Sequence, residues 1–250
     1  MASRAWSTST GCVSNDFGPK RQRSMKITIG SDVATRAPML RLGVLTMRGL
    51  SIRAKDDALW QSLEQAAAAV AARVDPNALG TDPRIGAVRR LFKAVGVDPS
   101  RYRPSSEALV RRVAQGKGLY QINTAVDVNN WCSLEERLPF GIYDAARLAS
   151  QVLLQLGHEN AAYEGIGKSL IALEGKMVLA DEQGPFGSPI SDSTRAMVNE
   201  QTRDIQLVVF AAELSAGALR SILTVTAERL SRYNGGAVEA LDIVGGSEGE

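Results

Sequence analysis

The sequence predicts an α+β fold, and three observations carry that reading. Apolar residues recur at helical spacing through three segments between residues 56 and 116. After Tyr143-Asp144 the periodicity shortens to that of strands and turns. The run "IQLVVFA", Ile205–Ala211, has the composition of a buried strand. Helices grouped in one part of the chain and strands in another point to segregated layers. With 250 residues the chain can bury a sizeable core, as one large domain or two small ones. Aromatics make up only 5% of it, so Ala, Val, Leu and Ile must fill that core.

Residues 1–24 are rich in Ser, Thr and Arg and carry no apolar run of signal-peptide type. They are expected to be a disordered extension or an over-long start, with Met25 as the initiator. Residues 25–244 are expected to form one domain, and 245–250 a polar tail. Met25–Gly30 alternates polar and apolar residues as a first strand, and Leu40–Met47 makes a second, ending near Gly49. Residues 56–74 form a helix that Asp56 or Asp57 can cap, with Leu59, Leu63, Ala67, Val70 and Val74 on one face. In the helix 84–95, Asp82 stands at the cap, Pro83 at the first position and Gly96 just past the end. Ser105 or Ser106 caps a third helix, which Gly116 terminates.

The next stretch, "INTAVDVNNWCSLEERLPFGIYD" (122–144), is unusual. Leu119, Ile122, Val126 and Trp131 make an apolar stripe at helical spacing. Asn123, Asp127 and Asn130 fall at i, i+4 and i+7 on another stripe, with Asn129 beside them. Asn and Asp are poor helix formers because they compete for backbone hydrogen bonds, so something other than propensity favours them. Either the stripe faces solvent, or it is a wall of donors and acceptors for a small polar ligand.

Further on, 145–156, 170–173 and 176–181 read as short strands, with Glu174-Gly175 in a hairpin turn. In the segment 181–195, Gly184, Pro185, Gly187 and Pro189 argue against regular structure. It carries Ser188, Ser191 and Ser193, with Asp181 and Asp192. Such a loop can offer backbone N–H groups to a carboxylate or phosphate; the plain alternative is a strand connection. Ala216–Tyr233 is an amphipathic helix closed by Gly235-Gly236.

Charge is distributed unevenly. Residues 84–117 hold nine Lys/Arg against two Asp/Glu, and residues 118–250 hold nine against eighteen. A basic block on an acidic body suits a polyanion such as RNA, or else pairs with the acidic half. The exclusions are firmer. Cys12 and Cys132 make neither a disulfide framework nor a metal set, and suit a cytoplasmic compartment. His158 is the single histidine, and no nucleophile-elbow pattern stands near any serine. "GKGLY" and "GIGKSL" lack phosphate-loop spacing. No cofactor and no membrane contact are expected. Asn, Asp, Ser and Arg remain, which can bind, orient and polarise.

"GVDPSRYRPSSEALVRRVAQGKGLYQINTAVDVNNWCSLEERLPFGIYD", followed by "LADEQGPFGSPISDSTR", resembles the free-standing relatives of the B3/B4 domain of the phenylalanyl-tRNA synthetase beta subunit. The similarity runs from about Leu40 to about Tyr233. It implies a β-sandwich-like core of mixed sheets flanked by helices. It also implies a ligand class, because in the synthetase this domain hydrolyses tyrosine wrongly attached to phenylalanine tRNA. On that resemblance Asn123, Asp127, Asn129 and Asn130 become pocket wall, and Asp181, Ser188 and Asp192 the closing segment, with Asp127 and Asp181 as candidate catalytic groups. Arg89, Arg90, Arg101, Arg103, Arg111 and Arg112 would meet tRNA phosphates. The catalytic and anticodon-binding modules of a synthetase are missing, so the chain is no complete synthetase. The expected function is therefore tRNA binding, with editing of mischarged aminoacyl-tRNA in trans. Two alternatives stay open: a binder of a free amino acid or similar ligand, and a hydrolase of small esters or amides.

Overall fold

Met25 immediately precedes the first strand, and from there a computed structural model describes residues 25–167 and 170–246. The expected N-terminal extension, residues 168 and 169 of "GIGKSL", and most of the polar tail lie outside the described residues. In chain order the elements are β1 (Lys26–Ile29), α1 (Ser31–Arg36), β2 (Leu40–Leu50), α2 (Asp57–Ala71), α3 (Pro83–Ala94), α4 (Ser105–Ala114) and α5 (Thr124–Glu136). There follow β3 (Phe140–Asp144), β4 (Gln151–Leu156), β5 (Ala162–Glu164), β6 (Leu170–Ala172), β7 (Met177–Asp181), β8 (Gly184–Gly187), β9 (Ile205–Ala212), α6 (Ala216–Asn234) and β10 (Gly235–Gly245).

Two four-stranded sheets form the centre. One has the order β1-β4-β7-β8 and is mixed, with β1 parallel to β4 and the other pairs antiparallel. The other, β10-β2-β9-β3, is antiparallel throughout. Val152, Leu154, Leu179 and Phe186 of the first share one hydrophobic core with Leu42, Leu45, Leu207 and Phe210 of the second. The fold is α+β, with a sandwich-like pair of sheets and helices around it. All eight residues of β9 are buried, as the apolar run requires of a strand covered on both faces.

Local chemistry sets the helix ends. Asp56 accepts the N–H of Leu59, Asp82 those of Arg84 and Ile85, and Ser215 that of Ala218. α4 departs from expectation. Pro104 is its N-cap and supplies no side-chain acceptor, while the Ser105 N–H goes to the Pro189 carbonyl at 2.9 Å.

Three further elements differ from the sequence reading. Gly235-Gly236 does close α6, but the chain turns back at once into β10, eleven residues paired with β2. Gly236 has φ +78, and a Cβ there would sit 2.6 Å from the Arg48 carbonyl, so the pair is a tight reversal. The glycine- and proline-rich segment does contain a strand, β8, at the sheet edge. There Pro185 needs no ladder N–H, and a register shift between Leu179 and Ala180 absorbs the irregularity. Finally, the turn at Glu174-Gly175 does not join hairpin partners, because β6 pairs with β5 and β7 with β4.

Candidate functional site

α5 is a central helix packed against α2, α4, α6 and β3. Its buried residues include Ala125, Asp127, Val128, Asn129, Cys132 and Ser133, which lie on several faces. That accounts for the weak amphipathic pattern of its sequence. Asp127, Asn129 and Ser133 do not face bulk water.

Asn123 is the N-cap of α5. Its Oδ1 accepts the Val126 N–H at 3.0 Å and its Nδ2 donates to the Val198 carbonyl at 3.3 Å. Asp127, one turn on, is only 1% exposed. Its Oδ1 accepts the Ile122 N–H at 2.9 Å, and its Oδ2 is enclosed without a partner. Burial pushes the Asp127 carboxyl up to about 6, opposed only by the Ile122 hydrogen bond. No neighbouring charge among the described residues contributes to that shift. Asn130 is half-buried on the same side of the helix. Asn129, two residues from Asp127, points to a different face, where its Oδ1 is enclosed and unpartnered. Trp131 Nε1 is likewise enclosed without an acceptor.

The closing segment is held by a different network. The Asp181 side chain is 0% exposed, and four donors meet its carboxylate. They are Arg195 Nη2 at 2.9 Å, Arg195 Nη1 at 3.3 Å, and the N–H groups of Ala149 and Gln183 at 3.0 Å each. A carboxylate has about four acceptor positions, so Asp181 is saturated. Ser188 Oγ donates to the Ser191 carbonyl at 2.8 Å and accepts the N–H groups of Ile190 and Ser191. The Tyr163 hydroxyl bridges Ser188 Oγ and the Ser191 carbonyl. Asp192 Oδ1 accepts the Tyr143 hydroxyl at 2.8 Å and the Ser188 N–H at 3.3 Å. Burial and the Asp192 carboxylate together hold the Tyr143 hydroxyl far above the usual tyrosine range.

The hydrogen bonds that leave the two pieces run to different neighbours. α5 reaches Val198, just beyond the closing segment, whereas Pro189 within it receives Ser105 of α4. Asp127 and Asp181 do not act on each other. Tyr143, Tyr163 and Arg195, which hold the segment, were not singled out from the sequence. One signal was present for Tyr143. Gly141, two residues earlier on the same strand, leaves the room its ring occupies, and a Cβ there would lie 2.0 Å from the Tyr143 hydroxyl.

The arginines sort by partner. Arg89 is bidentate on Glu107 at 2.8 and 3.0 Å, and Arg103 and Arg111 approach the same carboxylate at 3.6 and 3.7 Å. Glu107 itself is buried. Arg90 is bidentate on Glu213. Arg101 and Arg112 have no acidic partner among the described residues; each lies over a tyrosine ring, Tyr102 at 5.2 Å and Tyr120 at 3.8 Å. Elsewhere, Cys132 is a buried thiol that accepts from Arg229, and His158 is exposed. No helix among the described residues is long and apolar enough to cross a membrane.

Comparison with known proteins supplies the family. The family model described as the B3/4 domain matches residues 87–232, from α3 nearly to the end of α6. The beta subunit of phenylalanine–tRNA ligase from Neisseria meningitidis serogroup A is 28% identical over 107 residues, covering 41% of this chain and 14% of the relative. Its serogroup B counterpart matches to the same extent. The chain therefore matches only about one seventh of those relatives' length. Among solved structures, an N-terminal fragment of the phenylalanyl-tRNA synthetase beta-subunit from Pyrococcus horikoshii aligns with 87% of this chain and 51% of its own. Its TM-score is 0.46 and its identity 13%. The family match covers more than half of the sequence and takes in α5, the closing segment and the basic block, and on that evidence the chain belongs to the B3/4 domain family.

Proposed function

We propose that this protein binds aminoacyl-tRNA and hydrolyses the ester of a wrongly attached amino acid in trans, with Asp127 as the proton-accepting group. One observation carries the reading: a buried carboxylate with an unpartnered oxygen and a carboxyl raised to about 6. A carboxylate tuned toward neutrality suits general-base work better than one near its ordinary value. In this reading water attacks the ester carbonyl carbon, Asp127 takes a proton from it, and the bond to the ribose oxygen breaks. The proton then passes to that oxygen, leaving a free amino acid and an intact tRNA end. Asn130, on the same face, orients the ligand. Asp181, with its acceptor positions filled, holds the closing segment through Arg195.

A second reading is a binder of a free amino acid with no chemistry. It draws on the saturation of Asp181 and Ser188, beside which Asp127 keeps one unpartnered oxygen. The deciding experiment offers purified protein a panel of correctly and wrongly charged tRNAs. Release of amino acid above the uncatalysed rate, lost in Asp127→Asn, is expected. No release from any member, with saturable binding of a free amino acid, sinks the first reading and leaves the second.

A further inference from the structure

Lys176 follows the turn at Glu174-Gly175 and is 5% exposed. Its ammonium lies 4.0 Å from the centroid of the Tyr102 ring, and the Arg101 guanidinium lies 5.2 Å from the same centroid. Neither cation has an ion-pair partner among the described residues. Their neighbours in the basic block behave differently, since Arg89, Arg103 and Arg111 share Glu107 and Arg90 has Glu213. A lysine with so little of its surface exposed is ordinarily paired, and a ring face is a weak partner for an ammonium. The cation–π contact supplies only about 0.5–2 kcal/mol.

The surroundings add positive potential. The chain enters ten-residue α4 three residues after Tyr102, with no side-chain cap at its N-terminus. That end carries the positive pole of the helix. Among the described residues, the acids in this part of the chain make no ion pair with Arg101 or Lys176, although Glu107 lies in the first turn of α4. Asp98 accepts the Ser100 N–H and acts on Arg89, Glu107 is shared by three arginines, and Glu174 stands exposed in the turn. The loop that meets α4 at Pro189 is the closing segment of the candidate site.

We infer that Arg101, Tyr102 and Lys176 form a phosphate subsite. Resting on the reading above, its occupant is a phosphodiester of the RNA backbone close to the aminoacylated end. Two cations and one phenol can surround a phosphate whose charge replaces the missing carboxylate.

The test has two arms on the full chain, with Arg101→Gln, Lys176→Gln and, as control, the distant Arg220→Gln. In the first arm, inorganic phosphate should raise the melting temperature of wild type and control saturably. Each subsite variant should need at least about tenfold more phosphate, the loss of one charge-assisted bond. In the second arm, tRNA affinity is followed against salt, and each subsite variant should flatten the log–log slope by about 0.7–0.9. Equal phosphate protection in all four proteins overturns the subsite. So does tRNA binding by wild type with an unchanged slope in both variants. Phosphate protection that depends on Arg101 and Lys176, without tRNA binding by wild type, upholds the subsite and fails the RNA reading instead. Should Lys176→Gln not fold, Arg101→Gln, at an exposed position, decides alone.

Discussion

Replacing Asp127 with Asn tests the state of the carboxyl directly. Asn keeps the shape and an oxygen for the Ile122 N–H, and it puts an uncharged group where Oδ2 lies enclosed. The folded carboxyl is raised from 3.8 to about 6, so the folded protein binds a proton more tightly than the unfolded chain. Its stabilising contribution is complete below about pH 4 and is lost as pH rises through about 6. Above that, the ionised group costs the fold up to about 3 kcal/mol relative to a neutral one, since each pKa unit is worth about 1.4 kcal/mol. Asp127→Asn should therefore stabilise the protein at pH 8, by about 1–3 kcal/mol or a rise of roughly 3–10 °C in Tm for a domain this size. The gain should shrink to near zero by pH 4. The assay is urea unfolding at pH 4, 5, 6, 7 and 8 for both proteins. A difference that does not change with pH, or an Asn variant less stable than wild type at pH 8, would refute the assignment of a destabilised buried carboxylate. If the same variant is more stable yet inactive in deacylation, the site stores destabilisation for function.

Other perturbations have equally definite outcomes. Arg195→Met leaves the fully enclosed Asp181 carboxylate without its charge partner, and should cost about 3–5 kcal/mol by denaturant unfolding. Gly187→Ala places a Cβ 2.3 Å from the Tyr143 hydroxyl, and displacing that buried ring should cost about 1–3 kcal/mol. Combining Gly187→Ala with Tyr143→Ala should relieve the clash, so a purely additive double mutant argues against it. Deacylation, if it uses Asp127 as base, should rise with pH through about 6 and then level, since the carboxyl must ionise to accept a proton. A rate that falls across that range removes Asp127 from the role.

Residues that satisfied one local rule were legible in the sequence. Asp56 and Asp82 cap their helices, Pro83 opens α3, and β9 lies where the apolar run put it. What stayed hidden depended on partners far along the chain. The residues after the glycine pair at 235 and 236 carry no strand reading in the sequence, and only pairing with β2, nearly two hundred residues earlier, makes β10 a strand. Pro104 takes the cap position at α4 because the Ser105 N–H has a tertiary acceptor in Pro189. The basic block was visible as charge, but its division was not. Glu107 gathers three of the six arginines; Arg103 and Arg111 stand four residues either side of it, a legible helical spacing, but Arg89 comes from another helix. Lys176, far along the chain from Arg101, gave no sign that it would meet the same Tyr102 ring.

The two aspartates proposed from the sequence end in opposite physical states, and that contrast bears on mechanism. Asp181 has four donors and full burial, so its charge is balanced and its geometry fixed. Asp127 has one donor and full burial, so its charge is unbalanced. A site that used two carboxylates as coupled acid and base would raise one pKa through the charge of the other. Here burial alone raises Asp127. On the proposed reading the chemistry is a single-carboxylate reaction on an already labile bond, with the leaving ribose hydroxyl completing the proton transfer. An aminoacyl ester is such a bond, and an amide is not. The third function open from sequence can be separated on this point: simple amino-acid esters should turn over slowly, and the matching amides should not turn over at all.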